Sequence, residues 1–232
     1  MKYLIAALFF LSIQMGAQTD FAKAEICFQK KQYTEAQLLF EKSLVQFPAD
    51  QKTIEYLGDI QCHLGRWHAA LPYYQKLKKC KPLEAEYHYK YGGALAMIAR
   101  EGNVFKALSM MGEIKSEFQS ALKLNPNHIG ARWALIEIYL QLPMMAGGSE
   151  KKAIQYANEL LRVSTVDGYL ARGHIEEYYK RYAAAEKQYK KAIAIGQSAT
   201  TYQKLADLYK NKMDQPEKAK ALMARYNEKN KT

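Results

Sequence analysis

The sequence predicts an all-α protein assembled from a repeated helical hairpin, and three observations carry that prediction. Two stretches echo each other, YTEAQLLFEKSLVQFP from Tyr33 and WHAALPYYQKLKKCKP from Trp67. Tyr33 and Trp67, Ala36 and Ala70, Phe40 and Tyr74, and Pro48 and Pro82 each stand 34 residues apart. Self-similarity at a fixed interval of this size marks a repeat architecture. Small and aromatic residues also recur at one-turn intervals inside each stretch, which puts them on one helix face. Proline then closes the pattern, since it cannot continue a helix.

The chain has 232 residues, of which 49% are hydrophobic and 25% charged, a balance typical of a folded protein rather than a disordered one. Tyrosine is abundant, at 18 residues, which suits helices whose rings pack while their hydroxyls reach water. The formal charge of +11 favours acidic partners or anionic surfaces and says nothing about fold. At the start, Lys2, the apolar run from Tyr3 to Ile13 and the small residues Gly16 and Ala17 resemble a bacterial Sec signal peptide, with cleavage expected after Ala17. The apolar run is about half the roughly 20 residues of a membrane span. An exported, periplasmic protein is expected, which argues against a nucleic-acid partner for the positive charge. Cys27, Cys62 and Cys80 are odd in number and lack CxxC spacing; buried free thiols are expected, with a Cys27–Cys62 bridge between neighbouring units as the alternative.

In chain order, the first hairpin spans about 18–50, with Phe21, Ala24 and Phe28 on one helix and Ala36, Phe40 and Leu44 on the next. The second, about 51–84, has Leu57-Gly58 in its first helix, Leu64-Gly65 at the turn, and Ala70, Tyr74 and Leu77 in its second. Gly58 costs about 1 kcal/mol of helix stability relative to Ala, so its use is close packing. Ala24, Gly58, Gly92 and Gly173 hold equivalent places, and all are small. The third unit, about 85–128, departs from the interval, since Pro126 follows Pro82 by 44 residues. The extra length falls between its helices, where Asn103 caps a long second helix through Phe105, Leu108, Met111, Ile114, Phe118 and Ala121. The fourth, about 129–165, is interrupted by LPMMAGGS and restarted at Ser149-Glu150. The fifth, about 166–198, carries Gly173, Tyr182, Ala185, Tyr189 and Ala192, and the sixth, about 199–232, carries Leu205, Tyr209, Ala219 and Tyr226. The outer Lys204, Lys210, Lys212, Lys218, Lys220 and Arg225 of this last unit read first as a solvated cap ending the array in water. An acidic docking patch is the alternative.

Small residues at Gly58 and Ala70, aromatics at Trp67 and Tyr74 and the closing Pro82 make the array resemble the tetratricopeptide-repeat family over nearly the whole chain after residue 17. The resemblance implies antiparallel helix pairs stacked as a right-handed superhelical solenoid, with the first helix of each pair lining a concave groove. Groove positions implied this way are Phe21, Phe28, Tyr56, Asp59, His63, Tyr89, Lys90, Trp133, Glu137, His174 and Tyr178. Rings with mixed charges suit an extended or helical peptide. Family members that clamp a C-terminal carboxylate use Lys and Asn in the early units. Here Phe21, Glu25, Glu55 and Asp59 stand there, and their charge would repel a carboxylate.

No catalytic constellation is legible. The five histidines are scattered, HExxH is absent, and Gly147-Gly148 lacks the Lys and Thr of a phosphate loop. Cys62 and His63 diverge by about 100° on a helix, so they cannot ligate one metal together. The chain therefore reads as a non-enzyme with no cofactor and no metal site, binding protein or peptide, with a membrane surface as secondary partner. The two insertions add a second candidate surface at the hairpin edge: Phe105, Met110, Met111, Met144 and Met145, apolar groups able to adapt to a partner. The competing reading is that the long helix and the loop cover each other.

Overall fold

The computed structural model describes residues 20–229. The expected leader, 1–17, lies outside them. Among the described residues there are twelve α-helices, one short 3-10 segment and no strand. They are α1 (20–29), α2 (Tyr33–Gln46), α3 (Gln51–His63), α4 (Trp67–Cys80), α5 (Ala85–Glu101) and α6 (Val104–Leu124). After a boundary between Leu124 and Asn125 that divides the chain into two compact units come α7 (Ile129–Gln141), the 3-10 turn Met144–Ala146, α8 (Glu150–Val163), α9 (Thr165–Tyr178), α10 (Tyr182–Gly196), α11 (Ala199–Asn211) and α12 (Pro216–Lys229). Within each unit every helix packs on the one that follows it in the chain, and in the second unit the first helices also touch, α7 with α9 and α9 with α11.

Local chemistry explains the helix ends. Asp50, Ser149, Ser164 and Ser198 accept backbone N–H groups at the starts of α3, α8, α9 and α11, satisfying donors that a helix start leaves open. Asn103 does the same for α6, accepting from the Lys106 N–H at 2.9 Å. Phe47 and Lys81 end α2 and α4 outside the helical region, at φ −127°, ψ 75° and φ −134°, ψ 77°, since a following proline disfavours helical backbone. The tight turns inside the hairpins put one residue in the left-handed region: Lys31 at φ 61°, Gly65 at φ 69°, Lys180 at φ 59°. Only the second of these positions holds glycine. A side chain there costs roughly 1–2 kcal/mol, offset in part by the larger entropy glycine loses on folding. Lys180→Gly should therefore raise stability by about 0.5–1 kcal/mol in urea denaturation. An unchanged or lowered midpoint would show that the turn tolerates lysine without strain.

Packing inside a hairpin rests on a small residue facing a ring. A Cβ at Gly58 would lie 2.7 Å from the Tyr74 ring, and one at Gly173 would lie 2.4 Å from the Tyr189 ring. Tyr74, Tyr189, Phe40 and Phe118 are among the largest fully buried side chains. Each buried tyrosine passes beneath its glycine and ends on a carboxylate of the first helix: Tyr74 donates to Asp59 at 2.7 Å and Tyr189 to Glu177 at 2.8 Å. In the fourth hairpin the sizes are exchanged in register. Ile136 stands where Gly58 and Gly173 stand in theirs, and Ala157 where the rings stand, both buried. In the following loop Gly148 is fixed by space, since its Cβ would meet the Leu142 carbonyl oxygen at 1.9 Å.

Candidate interaction surface

In the first unit the predicted ring positions come together. Phe28 lies 4.9 Å from Tyr56 and 5.6 Å from His63, and Phe21 lies 6.1 Å from Tyr56. Two rings outside the predicted set complete the cluster: Phe40 stacks on Tyr56 at 4.6 Å and Tyr33 on His63 at 4.6 Å. Much of this ring area is thus spent on joining α1, α2 and α3, with the outer edges left partly exposed. Tyr89 leans on Phe118 of α6 at 5.9 Å.

The carboxylates of the same faces are engaged rather than free. Glu25 accepts from the Tyr56 hydroxyl at 2.9 Å and pairs with Lys52 at 2.7 Å. Lys90 reaches from α5 to both Glu55 at 2.6 Å and Asp59 at 2.7 Å. Burial lowers the Lys90 pKa, but Asp59 and Glu55 outweigh it and leave the ammonium above its ordinary value. Lys52 and Tyr74 therefore belong to this polar network although neither was a candidate by position, and Glu55, one of the early groove carboxylates, is neutralised within it. One signal for it was present: Glu25 and Tyr56, like Asp59 and Lys90, are 31 residues apart. That spacing is one helical turn short of the repeat, the stagger at which neighbouring first helices meet. A second network joins the later hairpins, where Lys78 and His88 both contact Glu117, at 2.5 and 2.6 Å.

In the second unit Trp133 donates its indole N–H to Asp167 at 3.1 Å, and its ring lies 6.3 Å from that of His174. His174 Nε2 sits 2.7 Å from Glu137, at an angle short of an ideal hydrogen bond, and Gln141 donates to the other Glu137 oxygen at 3.0 Å. Burial raises the Glu137 pKa, but the contacts to His174 and Gln141 and the charge of Lys204 outweigh it and hold the carboxyl below its ordinary value. Such a group adds stability above the ordinary value of 4.5, and the gain is lost as pH falls through the lower folded value. Glu137→Gln should accordingly narrow the difference in unfolding midpoint between pH 6 and pH 3. A difference equal to that of the unchanged chain would sink this account of the pair. Tyr178 ends α9 with 46% of its surface exposed, its ring 5.2 Å from Tyr179.

The insertion residues divide. Phe105 is 86% exposed on the first turn of α6, while Met110 and Met111 are half-buried along it. Met144 and Met145, the latter 102% exposed, belong to the 3-10 turn of the second unit. Val104 and Leu108, exposed beside Phe105, were not among the candidates. Cys62 lies 3.3 Å from the Tyr74 hydroxyl, and burial pushes its thiol up; all three cysteines are unbridged, but Cys27 and Cys62 are only half-buried and Cys80 is exposed, against the expectation of buried thiols. Among the described residues no three His, Cys, Asp or Glu side chains converge on a point, and no helix is long and apolar enough to cross a membrane.

Residues 72–162, less than half the chain, match the family of the plant-specific mitochondrial import receptor subunit TOM20. No curated protein matches the chain. Among solved structures, a thermophilic TPR protein of Thermus thermophilus superposes with a TM-score of 0.68 at 18% identity, covering 83% of this chain and 98% of its own. A tetratricopeptide repeat protein from Parabacteroides merdae gives 0.61 at 18% identity, covering 91% and 78%. YrrB, described as a TPR protein with an unusual peptide-binding site, gives 0.51 at 15% identity, covering 78% and 87%. At these identities the likeness is one of fold, and the fold is the tetratricopeptide repeat, an all-α solenoid of helix pairs.

Proposed function

We propose that this chain is a non-catalytic scaffold that binds protein or peptide segments through the faces of its first helices. The observation that carries this reading is the face of α7 and α9. There Trp133, Glu137, His174 and Tyr178 place rings beside a histidine–carboxylate contact, with Tyr178 half out in solvent. Rings of this kind supply contact area at small entropic cost. The reading takes support from the fold shared with YrrB and its peptide-binding site. The three carboxylates Glu25, Glu55 and Asp59, set against Lys52 and Lys90, leave the face of α1, α3 and α5 with one negative charge in excess, and so poorly suited to a peptide's terminal carboxylate. Selection of ligands from a displayed random-peptide library tests the proposal. Enriched peptides should lose at least tenfold in affinity against Tyr178→Ala, whose exposed ring is dispensable for folding. Enrichment of nothing, or of peptides indifferent to that change, would refute it.

The second surface in this reading is apolar and lies at the hairpin edges. Met144→Ser with Met145→Ser should weaken binding of a selected partner by about tenfold while leaving the helical circular-dichroism signal intact. Loss of that signal would instead give the two methionines a packing role. A structural envelope component that adsorbs through its basic surface is the second reading, favoured by the net charge of +11 and the exposed lysines of α11 and α12. Raising salt from 0.05 to 0.5 M separates the two, since screening abolishes adsorption of exposed charges and spares apolar anchors. Export to the periplasm belongs to the same proposal. Secretion from a bacterial host with a new N-terminus at Gln18 supports it, and retention of Met1 in the cytoplasm contradicts it.

A further inference from the structure

The last two hairpins enclose a cleft that no groove position accounts for. It lies between α10 and α12, with α11 beneath, and has a volume of about 380 Å³. Its lining is aliphatic, with Ile193, Leu205 and Leu222 at least half-buried and Ala194 exposed at the edge, and the Tyr202 and Tyr209 rings complete it. Its rim is cationic: Lys190, Arg225 and Lys229. Lys190 is paired with Glu186 at 2.6 Å and Lys229 with the Gln197 side chain, while Arg225 is exposed and has no carboxylate partner among the described residues. The volume falls in the range of ligand sites, about 300–1,000 Å³.

We infer that this cleft is a docking site for an acidic amphipathic helix of a partner protein, distinct from the face of α7 and α9. Three observations select that occupant. Each of the three helices lines the cleft over about two turns, roughly 10 Å at 1.5 Å per residue, which is the separation of side chains at i and i+7 on an incoming helix. The aliphatic lining accepts apolar side chains at i, i+3 or i+4, and i+7, the anchors of helix-in-groove recognition. The cationic rim then selects a helix with carboxylates beside those anchors and repels a basic one. Residues 1–19 and 230–232 do not fit, because they contain no Asp or Glu. A second copy is disfavoured by the net charge of +11 on each molecule. Nucleic acid is disfavoured by a lining that offers aliphatic carbon where phosphate and sugar would need donors. The lysine-rich last hairpin, readable from sequence as a solvated cap, thereby acquires a use on one of its sides.

The test uses the full chain and a fluorescein-labelled synthetic helix with Leu at i, i+3 and i+7 and Glu on its flanks, followed by fluorescence anisotropy. A matched peptide with Lys in place of Glu is the control. The acidic peptide should bind saturably and the basic one should not. Ala194→Trp, a change at an exposed position that fills the cleft, should reduce affinity at least tenfold with an unchanged circular-dichroism spectrum and melting temperature. The pair Arg225→Glu and Lys229→Glu should do the same through charge. Tyr178→Ala should leave this binding untouched, which separates failure of this inference from failure of the first-helix reading. Equal binding by the basic peptide, indifference to Ala194→Trp, loss of binding in Tyr178→Ala, displacement by oligouridylate, or self-association at the cleft would each overturn it.

Discussion

Tyr74→Ala should destabilise the first unit by about 3–5 kcal/mol, the range for deleting a buried aromatic side chain. The ring is 2% exposed, lies against Gly58, and carries a hydroxyl that donates to Asp59 while contacting Cys62. Its removal leaves a cavity between α3 and α4, which cannot close because both helices are held by neighbours on either side. Tyr74→Phe separates the two contributions. The ring still fills the space, so only the hydrogen bond is lost, and the expected cost is about 1–2 kcal/mol. Urea unfolding followed by circular dichroism, with hydrogen exchange to localise the change, reads both. A Tyr74→Ala variant as stable as Tyr74→Phe would refute the view that a ring seated under a small residue fixes the hairpin. Gly58→Ala offers a reciprocal check, because its Cβ would intrude on the same ring and so cost stability instead of the usual helix gain.

Lys90→Met is the second large effect. Its ammonium is the shared counter-charge of Glu55 and Asp59, and the three side chains keep only 17–29% of their surface. Removing it leaves two carboxylates facing each other in a partly desolvated seam between α3 and α5. The expected loss is about 2–3 kcal/mol, below the 3–5 kcal/mol of fully buried pairs, because some water reaches the site. The triple change Lys90→Met, Glu55→Gln and Asp59→Asn removes the stranded charges as well and should recover most of that loss. The pH dependence has a definite sign. Lys90 has a raised folded pKa, so its contribution is fully present below the ordinary 10.5 and is lost as pH rises through the folded value. From neutral pH upward, the stability gap between the unchanged chain and Lys90→Met should therefore persist until strong alkali. A gap that closes on acidification to pH 6 would contradict the assignment of Lys90 as the stabilising charge.

The hairpins were legible because the forces that make them are local. A ring one repeat from another ring, a small residue opposite it, a capping Ser149 or Asn103 and a proline stop all act within a turn or two of the chain. Most of the extra length of the third unit could be assigned to α6 for the same reason, since Ile114, Phe118 and Ala121 keep the helical phase; the rest lengthens α5, 17 residues against 13 in α3, and was not read. The candidate surface was legible only as positions. The family resemblance placed Phe21, Phe28, Tyr56 and His63 on related faces, but it could not say that Phe40 and Tyr33 would occupy much of their ring area. Nor did it reveal that Lys90 would take the charge of Asp59 and Glu55, which depends on the stagger between two first helices.

By itself, then, the sequence determined the helix-pair repeat, the places where its interval breaks, and the excess of positive charge, since each follows from residue type and separation along one helix. Only the tertiary structure decided which rings pack and which reach solvent, which carboxylates are neutralised, and where α10, α11 and α12 leave a cleft. Those outcomes depend on how side chains from different hairpins share one volume and one set of charges, and no single helix specifies that.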